Sequence, residues 1–408
     1  MGRVDRRRRL ANGICAAVTL LLGSIEAAEA ADPAVVIAIS GPEEVVYSWQ
    51  KDRCDDRFIP DAPARAFRDA DGLVHLIAPH YPNWELVGTS LDRVRRRCHV
   101  LFEGSEDADS GRYDDRAWIE GTYTLDGKTI FALLSNEWDG TRHPGSGCSG
   151  TVGRTRRCIY NSLTLAISTD GGETYTPPRG RRLVASLPYR FASEADDDRP
   201  AGYGTSSNII AREGVFYALI GAWPRGAQAY GNCLIRTDSL ADAASWRAWD
   251  GHDFSRRFVD PYHETDFSPD QHVCEPVGAG SLNWEVRSVS WHAPSQSYIT
   301  ILYGASQSAS DRRITGIHYA TSPDLISWSA IKMLLAAPSA LDRQRCQSFI
   351  RYPSLLDAKS ASRNFETVGG QAHIYFTRTN VPDCRQTMDR DLVRLPVTIT
   401  PALSETPR

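Results

Sequence analysis

Ser207 to Gly221 reads SNIIAREGVFYALIG: a polar cluster, a short strand-type run, a Glu213-Gly214 turn, and a longer, more apolar run. The same order returns at Ala64 to Ala78 (ARAFRDADGLVHLIA) and Gly121 to Leu134 (GTYTLDGKTIFALL). It returns more loosely at Val286 to Tyr303 (VRSVSWHAPSQSYITILY) and at Tyr352 to Thr377. Asp, Gly, Pro and Ser at the turns, flanked by β-branched and aromatic residues, are hairpin chemistry. A third run follows each copy, and in most a Ser/Thr-Asp turn leads into an outer one, as at Leu163 to Tyr175, Leu234 to Trp246 and Ile317 to Trp328. The final outer segment, Asp389 to Thr400, is degenerate, as terminal repeats often are. Four short strands per unit, with almost no helical periodicity, predict an all-β, five-bladed β-propeller. The blades fall near 55–104, 115–180, 203–250, 283–335 and 348–401, within a single domain at 31–408. Val35 to Tyr47 reads as one strand that closes the ring against the last blade.

Residues 1–30 have a different composition. Arg6 to Arg9 form a basic start, Ala11 to Gly23 an apolar run too short to span a bilayer, and Ala28-Glu29-Ala30 a small-x-small site. That layout predicts a secretory signal peptide, so the mature chain is expected to be secreted or periplasmic, off the membrane, and monomeric. Eight cysteines remain after it: Cys54, Cys98, Cys148, Cys158, Cys233, Cys274, Cys346 and Cys384. An even count in an exported protein favours disulfides. Sequential pairing (54–98, 148–158, 233–274, 346–384) is the simplest scheme, because each bridge then closes a loop inside one blade or between neighbours. No CxxC pair supports a zinc or iron–sulfur site. A net charge of −4 without a basic stripe argues against a nucleic-acid partner.

Strand order then says where chemistry belongs. If the first strand of each blade lines the central channel, the residues before it and those after the second strand share one face. This filter discards the turn acids near Asp69, Asp126 and Glu213. It also assigns Ser168 to Tyr175 (STDGGETY), an Asp-box pattern, to structure. Left on the chemical face are the carboxylates Asp61, Glu120, Glu137 and Glu285, suited to proton transfer. Trp118, Trp138 and Trp223 are candidate sugar platforms, and Asn208, Arg287 and Arg351 are candidates to hold hydroxyls or the carboxylate of an acidic sugar. Arg65 must point into the channel or between blades, where it touches substrate or pairs with Asp61 or Glu120. The expected partner is an oligo- or polysaccharide. His252, Asp253, His263, Glu264, Asp266, Asp270 and His272 crowd one stretch without fixed ligand spacing, so it reads as a long loop on this face. No cofactor is expected, with room left for a structural calcium ion on the channel axis.

The blade plan, and the TSPDLISW turn at Thr321 to Trp328 in particular, resembles the five-bladed propeller glycoside hydrolases of family 43 and its relatives acting on furanosides and fructans. The resemblance covers nearly the whole mature chain as architecture. It implies an Asp base at the start of blade one, a modulating Asp at blade two and a Glu acid at blade three. Asp61 matches the first by position, and Glu120 or Asp115 stands for the second. Blade three opens with Ser206-Ser207-Asn208 instead, so the acid falls to Glu137 or Glu285. The expected function is therefore an exported glycosidase. A propeller that binds glycan or protein without catalysis is the alternative, and a sialidase-like exoglycosidase using three arginines on this face is the third reading.

Overall fold

The computed structural model describes residues 2, 30–148, 158–193, 199–307, 313–338 and 346–402. The predicted signal peptide therefore lies, but for Gly2 and Ala30, outside the described residues. The described chain is all-β, built from curled antiparallel sheets. Unit one is Arg65–Arg68, Val74–Ile77, Glu85–Gly88 and Arg95–Arg96, paired in that order. Unit two is Arg116–Thr124, Ile130–Asp139, Ile159–Ser168 and Leu183–Ala185. Unit three runs from Ala201–Ser206 and Ile210–Arg212 through Val215–Trp223, Gly231–Thr237, Arg247–Ala248 and Arg256–Arg257. A short parallel bridge, Ala201 to Tyr160 and Gly202 to Asn161, fuses units two and three into one sheet. Unit four is Val286–His292, Ser297–Gln307, Arg313–Ser322 and Lys332–Ala336. Unit five is Phe349–Leu356, Gln371–Thr379 and Arg390–Pro401.

The N-terminal segment completes unit five, but as two strands. Val35–Ile39 and Glu44–Tyr47 both pair with Arg390–Pro401. Gly41 and Pro42 interrupt them, since proline donates no ladder hydrogen bond and a Cβ on Gly41 would meet the Pro396 ring at 2.9 Å. The segment expected to be degenerate is in fact the longest strand of the unit, with twelve residues. It is the third strand, and the chain's own start supplies what lies outside it.

The strand pairs form for the local reasons the sequence suggests. Arg212 pairs with Val215, and the two residues between, Glu213 and Gly214, both take positive φ, as a tight hairpin turn with the right twist requires. Apolar residues cover both faces of each unit, so each unit packs against two neighbours. One core joins units one and two through Phe67, Ile77, Ile119 and Leu134. Others join two to three through Leu163, Tyr203 and Trp246, three to four through Leu219, Val286 and Trp328, and four to five through Ile301, Ile317 and Phe376. The fifth joins the last unit to the first through Trp84, Leu76, Tyr375 and Leu392. Four disulfides (54–98, 148–158, 233–274 and 346–384) follow the sequential scheme.

Asparagine amides clip the units together where no continuous ladder runs. Asn83 donates to Ala117 O (2.7 Å) and accepts from Ile119 N (2.7 Å). Asn208 does the same to both backbone groups of Val289, Asn232 to Trp284 O and Val286 N, and Asn364 to both groups of Thr124. Each amide imitates one rung of a strand and satisfies a donor and an acceptor that are buried. Asn83 has 0% exposure. Its replacement by Ala strands several buried backbone groups, so urea denaturation should show a loss of about 3 kcal/mol. A loss under about 1 kcal/mol would mean that water replaces the clip at little cost.

Candidate functional site

Four of the five inner strands carry a β-bulge at the same level. The register against the second strand slips between Ile119 and Gly121, Gly204 and Ser206, Val286 and Ser288, and Arg351 and Ser354. The extra residues are Glu120, Thr205, Arg287 and, in the last, Tyr352 with Pro353. Thr205 and Tyr352 adopt positive φ there. Bulges bend a strand and re-aim a side chain, and here they gather residues from four units at one mouth. Unit one has no bulge: Arg65 to Arg68 pair with Ile77 to Val74 in unbroken register. It contributes Asp61 from the segment before the strand, and His80 and Tyr81 from after the second.

Asp61 accepts from His80 Nδ1 at 2.9 Å and is ion-paired with Arg390. Burial opposes its ionisation, but Arg390 and His80, with Arg351 nearby, outweigh burial and hold the carboxyl below the usual range. Glu137 sits across from Arg116 (Nη2 to Oε1, 2.6 Å), which also reaches Asp139 at 3.4 Å and lies over the rings of Tyr81 and Trp118. Burial, together with the charges of Asp139, Asp61 and Asp115, overcomes Arg116 and raises the proton affinity of Glu137. Asp115, fully buried, contacts His143 Nε2 at 2.8 Å and accepts from Asp139 N at 3.1 Å.

Glu285 is held on both oxygens. Trp223 Nε1 donates to Oε1 at 2.7 Å, and Arg287 Nη2 to Oε2 at 2.7 Å, with Thr205 Oγ1 at 3.5 Å. Deeper on the axis lies Glu120, 5% exposed, with Oε2 buried and unpartnered among the described residues. Burial pushes it up to about 7, although Arg287 and Arg65 pull the other way.

The structure thus brings Asp61, Glu120, Glu137, Glu285, Trp118, Trp223, Arg287 and Arg351 to one end of the inner strands, and it revises three expectations. Trp138 is not a platform: it is 5% exposed, gives its N–H to Ala108 O and packs on Phe191. It follows Glu137 on a strand, so it must face the opposite way. Asn208 is spent on clipping Val289. Arg65 pairs with no carboxylate through a hydrogen bond; its guanidinium donates to the carbonyls of Ala64, Glu120, Ser206 and Arg287. Arg390, Thr205 and Tyr230 were not singled out from sequence. Arg390 follows no motif, and Tyr230, 45% exposed, sits near Glu285 and Arg287 at the rim.

The stretch from Asp250 to Glu275 uses its polar groups internally: Asp250 accepts from His252 N, Asp253 N and Ser255 Oγ, and Asp260 from Tyr113 Oη and Tyr262 N. Among the described residues no group of three or more His, Cys, Asp or Glu is placed to hold a metal ion.

No family model matches this sequence, and no curated protein matches it. Solved structures do. A family 117 glycoside hydrolase of the marine bacterium Zobellia galactanivorans superposes with a TM-score of 0.51 at 12% identity, covering 90% of this chain and 92% of that one. The α-L-arabinanase of Cellvibrio cellulosa gives 0.44 at 10% identity, covering 82% and 91%. A GH43_1 enzyme of Xanthomonas citri gives 0.45 at 12%, covering 89% and 91%. The architecture shared with the first is the β-propeller of glycoside hydrolases. At such identity the likeness concerns fold alone.

The buried Glu120 makes a pH prediction. Its folded value of about 7 exceeds the ordinary 4.5, so between these the native state keeps a proton that the unfolded chain has released. Stability is unaffected by this group below about 4.5, falls as pH rises through the window, and is lower by about 3 kcal/mol above it. Glu120→Gln should match the parent at the acid end and exceed it at about pH 8 by up to about 3 kcal/mol in urea denaturation. Parallel stability profiles for the two proteins would refute this.

Proposed function

We propose that the protein is an exported five-bladed β-propeller that hydrolyses a glycosidic bond by two-carboxylate general acid/base catalysis. Each unit is one blade, the N-terminal strands close the ring on the last, and the four disulfides suit an oxidising compartment. The observation that carries the proposal is the split between two carboxyls at one mouth. Asp61 is held ionised by Arg390 and His80, and Glu137 is pushed toward its protonated form by burial and neighbouring acids. Pairs of carboxyls with opposed environments are how one site runs acid and base steps together. Asp61 is the base and Glu137 the acid. Glu285, bonded on both oxygens, serves better as a fixed acceptor that orients Arg287 and Trp223.

Trp118 and Trp223, half-buried at the mouth, are the sugar platforms, with Tyr81 and Tyr230 beside them. Arg351 makes no ion pair among the described residues and is free to meet a sugar oxygen. Blade three opens with Ser206-Ser207-Asn208 where the resemblance calls for an acid, and Thr205 just before them reaches Glu285 of the next blade. That substitution is what supports the non-catalytic, glycan-binding alternative. The sialidase-like reading is weaker, because Arg287 is committed to Glu285 and Arg390 to Asp61.

Purified protein incubated with plant and bacterial polysaccharides should release reducing sugar from at least one of them. Asp61→Asn and Glu137→Gln should each lower that turnover by about 100-fold or more with little change in melting temperature. Binding without release of any product, by parent and variants alike, would establish the non-catalytic reading instead.

A further inference from the structure

Behind the Glu120 carboxyl lies a buried cation, Arg65, 2% exposed. Its Nη1 donates to Ala64 O at 3.2 Å, its Nη2 to Ser206 O at 2.9 Å and Arg287 O at 2.7 Å, and its Nε to Glu120 O. These acceptors come from four different blades. Glu120 and Arg287 are themselves bulge residues, and Ser206 follows the bulge residue Thr205. A bulge takes a residue out of the ladder and leaves its backbone groups without strand partners. The blade without a bulge supplies the donor that these freed carbonyls need.

We propose that Arg65 is a positioning residue for the Glu120 carboxyl: a permanent cation on the axis whose carbonyl bonds lock the bulges that aim Glu120 and Arg287 into the cleft. This rests on the reading of the cleft as a proton-transfer site, but its test does not. Burial pulls Arg65 down to about 9, still well above neutrality, so it remains charged. The groups that face Glu120 are Arg65 and Arg287, which favour its ionised form, Glu285, which opposes it, and the backbone at Ser206. Glu120 Oε2 and Arg287 Nη1 are both buried without a hydrogen-bond partner among the described residues. Once Glu120 loses its proton, two cations already stand in place around the new charge, and no solvent must reorganise.

The test is the titration of Glu120, read by infrared difference spectroscopy of the full chain against Glu120→Gln, in the parent, Arg65→Lys and Arg65→Met. The expected result is a rise in Glu120 proton affinity of about 3-fold or more in Arg65→Met, with a smaller shift in Arg65→Lys. An unchanged midpoint in a folded Arg65→Met overturns the proposal and leaves Arg65 a packing residue. If Arg65→Met does not fold, recovery of the fold on adding propylguanidinium to Arg65→Ala supports the proposal, and failure to recover overturns it. Should polysaccharide hydrolysis be absent, the titration still decides the role of Arg65.

Discussion

The guanidinium of Arg65 is the constraint on which the rest depends. A buried cation without partners costs several kcal/mol, so it persists only where every direction offers an acceptor. Here the acceptors are backbone carbonyls of four inner strands, three of them at bulges. The dependence runs both ways, since those carbonyls would be orphaned without the cation. Small residues next to the axis let the strands approach it: a Cβ at Gly121 would lie 3.0 Å from Ser207 O, and Ala64 and Ala66 flank Arg65 in the channel wall.

Around that centre, the neighbours of each acid at the mouth differ. Asp61 has a cation and an imidazole, which favour its charged form, while Glu285 is bonded by an indole N–H and a guanidinium. Glu137 has one guanidinium against burial and three nearby carboxylates, and Glu120 has burial against two cations that do not touch its Oε2. Desolvation and charge therefore push in opposite directions at Asp61, Glu137 and Glu120, and geometry decides which prevails. Proximity of several carboxyls without such sorting would simply be repulsive.

Much of the architecture was legible because hairpins are local. Glu213-Gly214 makes its turn with residues two apart, and the apolar runs on either side declare two strands whatever the rest of the chain does. The end at which Asp61, Glu120, Glu137 and Glu285 gather followed from strand order. Some of the misreadings were also avoidable: Glu137 and Trp138 are neighbours on a strand and cannot both face one cleft. Asn208 was not avoidable, because an amide that clips Val289 looks in sequence like an amide that holds a hydroxyl.

The amino-acid sequence by itself determined the repeated units, their turns and the end of the units where polar and aromatic side chains collect. These depend on alternation and turn chemistry over a few residues. The tertiary structure decided which acids are charged, which arginines are already engaged, and what stands on the axis. Arg390 meets Asp61 across 329 residues, and Arg65 meets Arg287 across 222. Protonation depends on burial and on such partners, and both come into being only when all the units close on one another.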